Sequence, residues 1–132
     1  MPEGAFRAKE VGSIIVYIGT DAPLSALSLR HLARRASIGI GRGGTPSGNS
    51  SGDIFLAFSV ASPGPMPQQG GPLLSRPELN TEILDPIYLA AVEAVEEAVI
   101  NALVAGVDVD AVMPKGLTVR AIDTERLAAM FR

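Results

Sequence analysis

The sequence predicts an α/β or α+β domain, and three observations carry that prediction. Two short runs, residues 13–20 (SIIVYIGT) and 54–60 (IFLAFSV), are dense in β-branched and aromatic residues and read as strands. A helical pattern lies between them, and a longer one opens at Asp85. The resulting order is strand, helix, strand, long helix, short strand, short helix, in a chain of 132 residues that has the length of one ordinary domain.

Each element has a local signature. The first strand is apolar almost without interruption, which predicts cover on both of its faces. After a turn at residues 21–24, residues 25–36 read as a helix, with Ser25 as N-cap and Leu29, Leu32, Ala33 and Ala36 at helical spacing. Gly39 is expected to close it, and residues 39–52 to form a Gly- and Ser-rich loop before the second strand. Residues 62–77 read as a long Pro- and Gly-rich loop. Asp85 as N-cap and Pro86 at the first helical position open a helix expected to end near Ala105. Ile87, Ala91, Val95, Ala98 and Ala102 form its apolar face, with Val92, Val99 and Leu103 beside it, and Glu93, Glu96 and Glu97 mark its wet side. Residues 119–122 are expected to form a short strand, and Asp123 or Thr124 to cap a last helix reaching Arg132. Two firm strands and one short one make a thin sheet for this much apolar sequence, so a partner polypeptide or oligomerisation is expected to complete it.

Composition removes several classes of function. The net charge is -3, the basic residues cluster only at Arg30, His31, Arg34 and Arg35, and aromatics make up 5% with no Trp. That is not the broad basic surface with stacking aromatics that nucleic acid requires. Without cysteine there is no disulfide, thiolate metal site or thiol nucleophile. Residues 1–12 carry charges and lack an apolar core, and no apolar run reaches the length of a membrane span, so neither a signal peptide nor membrane insertion is expected. The expected compartment is the cytoplasm. Gly39, Gly41 and Gly44 fit G-x-G-x-x-G, but a helix rather than a strand precedes them and Pro46 follows, which excludes a dinucleotide fingerprint. A single histidine, His31, on a basic helix reads as an exposed helical residue, and no catalytic metal or cofactor is expected.

Two features bear on chemistry. The first is Gly12-Ser13 at the start of the first strand. Gly leaves its carbonyl open to attack by the neighbouring hydroxyl and tolerates the twisted backbone that such attack needs. Cleavage at that bond would free an α-amine on Ser13, with a pKa near 8, able to serve as base for its own hydroxyl. The same dipeptide also ends many ordinary loops. The second is residues 49–53, NSSGD, at the mouth of the second strand. Ser51 and Asp53 lie two apart and in extended backbone face one side, so a hydroxyl and a carboxylate can reach one point. Asn, Ser, Gly and Asp are equally the residues of a plain turn.

Taken in order, GSIIVYIGTDAPL, LRHLARRASIGIGR, SGNSSGDIFLAFSVA and LDPIYLAAVEAVEEAVINAL resemble the second subunit of the L-aminopeptidase/D-amidase/D-esterase (DmpA) family, over Gly12 to about Leu103. The resemblance implies a portion of a four-layer αββα sandwich of the DmpA/ornithine acetyltransferase-like type. It implies a precursor that cuts itself at Gly12–Ser13, so that Ser13 becomes the N-terminal nucleophile of acyl transfer, with Ser51 and Asp53 contacting the freed amine and hydroxyl. It further implies short peptide, amide or ester substrates with a free N-terminal amine, an α subunit or N-terminal half as partner, and oligomers of αβ pairs. On this mapping residues 1–12 are an extension before the cleavage site and residues 13–132 the β-subunit-like domain. Only twelve residues precede Ser13 here. The alternative expectation is therefore a catalytically inactive fragment or assembly module that keeps the fold without the α half.

Overall fold

The computed structural model describes residues 12–61, 70–73, 75–113 and 115–131. The expected loop at residues 62–77 and the extension at residues 1–12 lie largely outside them.

The first strand, β1 (Ile15–Thr20), runs parallel to β2 (Ile54–Ser59), with Ile15 opposite Ile54 and Thr20 opposite Ser59. Strand β1 starts two residues later than its composition suggests. The N–H of Ile14 is taken by the Asp53 side chain at 3.0 Å, while its carbonyl accepts from Ile54 N–H at 3.0 Å. A side chain thus replaces one ladder partner at the strand's mouth.

The crossover between the strands holds the main departure from the sequence reading. Helix α1 (Ala26–Arg34) begins as expected, with the Ser25 hydroxyl accepting from Ser28 N–H at 3.3 Å. The chain then turns at Arg35 into a second helix, α2 (Ala36–Arg42), so Gly39 and Gly41 are helical and the expected loop begins only after them. Packing explains Gly39. A Cβ there would lie 2.6 Å from the Val92 carbonyl oxygen and 2.8 Å from Val95 Cβ. The glycine lets α2 press against α3 (Asp85–Val104) and marks a helix crossing, not a helix end.

Helix α3 also starts one residue earlier than its capping signals indicate. A 3-10 turn over Thr81–Ile83, with Asn80 Oδ1 accepting from Glu82 N–H at 3.0 Å, leads in through Leu84, and Asp85 is already helical. Pro86 then sits within the first turn, where a missing N–H costs nothing. The buried face is Ala91, Val92 and Val95, which meet Leu32, Ala33, Ala36 and Leu84 in a small core. Ala98, Ala102 and Leu103, expected on that face, are exposed. Two contacts clamp the crossover onto α3: the Arg35 guanidinium stacks 4.3 Å above the Tyr88 ring, and Arg42 pairs with Glu96 at 2.9 Å.

Within this chain only one of the two faces expected to be covered has its cover. Val16, Ile18, Phe55 and Ala57 turn toward the helices and are half-buried, whereas Ile15, Tyr17, Ile54, Leu56 and Phe58 line the opposite face and are exposed. The described helices suffice for one face only. On the open face the Phe58 ring covers its cross-strand partner Gly19.

The expected strand at residues 119–122 is shorter and displaced. Strands β3 (Val109–Asp110) and β4 (Thr118–Val119) form a separate antiparallel ribbon, and Ala121 N–H goes to Asp108 Oδ1 at 2.8 Å instead of continuing the ladder. Helix α4 (Thr124–Ala129) has Asp123, not Thr124, as its cap, and it stops short of the expected end at Arg132. Among the described residues no helix is long and apolar enough to cross a membrane.

Candidate active site

Parallel pairing places the N-terminal mouths of β1 and β2 side by side, and every candidate residue of the chemistry lies there. Gly52 N–H donates to Ser13 Oγ at 2.9 Å, and Ile14 N–H donates to Asp53 Oδ1 at 3.0 Å. Two hydrogen bonds across 39 positions of sequence thus lock residues 13–14 to residues 52–53. Ser51 Oγ donates to the same Oδ1 at 2.5 Å, so the expected Ser51–Asp53 pairing is present. Gly12 is exposed, and among the described residues nothing lies within 4 Å of where a Cβ on it would stand.

The site is electrostatically simple. Hydrogen bonds from the Ser51 hydroxyl and then Ile14 N–H hold the Asp53 carboxyl below its ordinary range; burial opposes them, and the Ser47 hydroxyl adds the smallest lowering. Among the described residues lining the cleft Asp53 is the one that carries a charge, and its other walls include Ile40, Thr45, Pro46 and Phe55. Because Ser13 Oγ accepts from Gly52 N–H, its own proton remains available to donate, and its position is fixed relative to Asp53.

Sequence reasoning missed two participants. Ser47 Oγ donates to Asp53 Oδ2 at 3.2 Å, and the Gly52 amide orients the Ser13 hydroxyl. Only the run of small polar residues before Asp53 hinted at the first, and backbone donors leave no mark on residue type. His31 lies in the last turn of α1 and does not line the cleft. Among the described residues no group of three or more His, Asp or Glu could hold a metal ion.

Residues 2–115 match the family model described as Peptidase family S58. The chain belongs to that family. It is 40% identical over 121 residues to the beta-peptidyl aminopeptidase BapA of Sphingosinicella microcystinivorans, spanning 92% of this chain and 30% of that protein. It is 37% identical over 103 residues to the BapA of Sphingosinicella xenopeptidilytica, spanning 76% of this chain and 25% of the relative. Among solved structures, the L-aminopeptidase D-Ala-esterase/amidase of Ochrobactrum anthropi superposes with a TM-score of 0.83 at 55% identity, over 91% of this chain and 33% of that one. That enzyme is described as a prototype for the serine aminopeptidases and a variant of the Ntn hydrolase fold. A beta-aminopeptidase from a Burkholderia species superposes with a TM-score of 0.82 at 39% identity, over 97% of this chain and 36% of that one. The DmpA resemblance thus holds, and the mixed helix and strand seen here is part of an Ntn-hydrolase-type fold. The chain spans about a third or less of the relatives it matches.

Proposed function

We propose that this chain is the nucleophile-bearing part of a serine aminopeptidase of family S58, acting on short peptides, amides or esters with a free N-terminal amine. The observation that carries the reading is the junction of Ser13 with Asp53: a hydroxyl at one strand mouth, held by Gly52 N–H, beside a carboxylate tied to the next peptide. Two relatives are named beta-peptidyl aminopeptidases and one an L-aminopeptidase, which supports an aminopeptidase reading.

The reaction begins with the chain itself. Ser13 Oγ attacks the Gly12 carbonyl carbon, the C–N bond of the peptide breaks, and the leaving nitrogen takes a proton to become the free α-amine of Ser13. The resulting ester at Oγ is hydrolysed by water, which releases the Gly12 carboxylate and restores the hydroxyl. In the second phase the Ser13 amine, with an unperturbed pKa near 8, accepts the Oγ proton as Oγ attacks a substrate carbonyl. The proton passes to the departing amine, and water then cleaves the acyl-Ser ester. Asp53 and Ser51 hold the ammonium that forms between these steps: the carboxylate supplies charge, and Ser51 supplies an oxygen able to accept or pass a proton.

The remaining site groups and the second sheet are assigned to an α half, separate or contiguous in the native protein. The open face of Ile15, Tyr17, Leu56 and Phe58 supports that partner. The decisive experiment is Ser13→Ala in the native protein, followed by N-terminal mass analysis and hydrolysis of an amino-acid p-nitroanilide. The expected outcome is an uncut chain without hydrolysis beside a wild type that starts at Ser13. Hydrolysis retained in the variant overturns the reading.

A further inference from the structure

Ser47 stands where the backbone asks for glycine. Its φ is 58°, and among the described residues it alone adopts a left-handed conformation without being a glycine. A Cβ makes that conformation costly, and glycine, which adopts it freely, occupies positions 43, 44 and 48 around it. A serine there needs a reason in its side chain. The backbone N–H of Ser47 donates to Thr45 Oγ1 at 3.2 Å, and its hydroxyl donates to Asp53 Oδ2 at 3.2 Å.

The division of labour on the carboxylate gives that reason. Ile14 N–H and Ser51 Oγ both meet Oδ1, while the Ser47 hydroxyl meets Oδ2. The terminal torsion of an aspartate is broad and soft. Two donors on one oxygen leave the other free to swing; a donor on the second oxygen fixes the plane. Among the described residues lining the cleft no other charged group faces Asp53, so these three donors are what orients its carboxylate.

We propose that Ser47 is a positioning residue for acyl transfer at Ser13, locking the carboxylate plane of Asp53 through Oδ2. The proposal rests on the aminopeptidase reading above for its catalytic meaning, and on the left-handed serine and its bond to Oδ2 for its structure.

Two variants compatible with left-handed backbone test it in the native, complete protein. Ser47→Gly removes the hydroxyl and relieves the backbone; Ser47→Asn keeps a donor and tolerates the same conformation. Hydrolysis of an amino-acid p-nitroanilide is followed from acid to neutral pH, together with the NMR titration of the Asp53 carboxyl. For Ser47→Gly the expected result is a melting temperature at or above wild type. Its kcat falls about three- to tenfold with KM little changed, and the acid limb and the Asp53 midpoint both move to higher pH. Ser47→Asn restores much of both. A Ser47→Gly protein with wild-type kcat and an unmoved acid limb overturns the proposal. If the wild type hydrolyses no anilide, the aminopeptidase reading falls, and the Asp53 titration still decides whether Ser47 holds the carboxylate: an unmoved midpoint in Ser47→Gly overturns it.

Discussion

The carboxylate of Asp53 is bonded to the backbone N–H of Ile14 at 3.0 Å, one residue past Ser13. The same oxygen therefore anchors the strand that follows Ser13, the proposed nucleophile, and takes the Ser51 hydroxyl. Asp53→Asn keeps the shape and an acceptor for Ile14, and removes the charge. The expected outcome is a folded protein whose kcat/KM on an amino-acid anilide falls by roughly two orders of magnitude, the range lost with a positioned proton-handling group. Slower appearance of the Ser13 N-terminus is expected in the same variant. Steady-state kinetics and intact mass at timed intervals measure the two separately.

The hydrogen bonds on Asp53 also set a pH dependence. Its carboxyl is held below the ordinary value of 3.8, chiefly by Ser51 and then by Ile14. A carboxyl whose folded pKa is depressed stabilises the fold fully above the unfolded value and loses that contribution as pH falls through the folded one. Asp108, lowered by Ala121 N–H and then Arg120, follows the same sign in the β3–β4 ribbon. Melting temperatures of wild type and Asp53→Asn are expected to differ at neutral pH and to converge in acid below the carboxylate range. Thermal melts across that range check it, and a difference that grows toward acid contradicts the assignment.

Gly39 supplies a test of the helix crossing. In a free helix Gly→Ala is favourable by up to about 1 kcal/mol. At this position the new Cβ would stand 2.6 Å from the Val92 carbonyl oxygen and 2.8 Å from Val95 Cβ, inside contact distance of the backbone of α3. Overpacking of this kind costs about 1–3 kcal/mol, which outweighs the propensity gain. Gly39→Ala is expected to lower the melting temperature by several degrees. Gly41→Ala, with nothing within 4 Å of its Cβ position, is expected to leave it unchanged or raise it, and calorimetry of the pair separates packing from propensity.

The same glycine shows what the sequence could and could not convey. Strands β1 and β2, the Ser25 cap and the length of α3 follow from local residue types, and the structure has each within a residue or two of its expected place. Alternation put only Ser51 and Asp53 on one side; that their segment lies beside Ser13 came from the family resemblance, and the structure joins the two strand mouths through Gly52 N–H to Ser13 Oγ and Ile14 N–H to Asp53. The second helix was illegible because Gly39 answers to a neighbour 53 residues away, Val92, and not to its own segment. Ser47 was hidden for a similar reason: its role lies in a left-handed backbone and a bond to the far oxygen of a carboxylate, neither of which residue type records.

The open face of the sheet carries the last prediction. Tyr17 and Leu56 are opposite one another in register, and they are 67% and 50% exposed on the side that the chain's own helices leave bare. Contiguous apolar surface of this kind marks an interface, and a single charge at its centre costs little in the isolated chain but much once the face is covered. Leu56→Lys is therefore expected to leave the melting temperature of this chain nearly unchanged while reducing its self-association and its binding of an apolar dye. In the native protein the same variant is expected to lose assembly and anilide hydrolysis together, although Leu56 is not among the residues lining the Asp53 cleft. Val112→Lys, at a residue 87% exposed outside the sheet, is the matched control and is expected to do neither. Size-exclusion chromatography with light scattering reads the assembly. Full assembly and activity in Leu56→Lys would show that this face stays in water, and would remove the open sheet as support for an α-half partner.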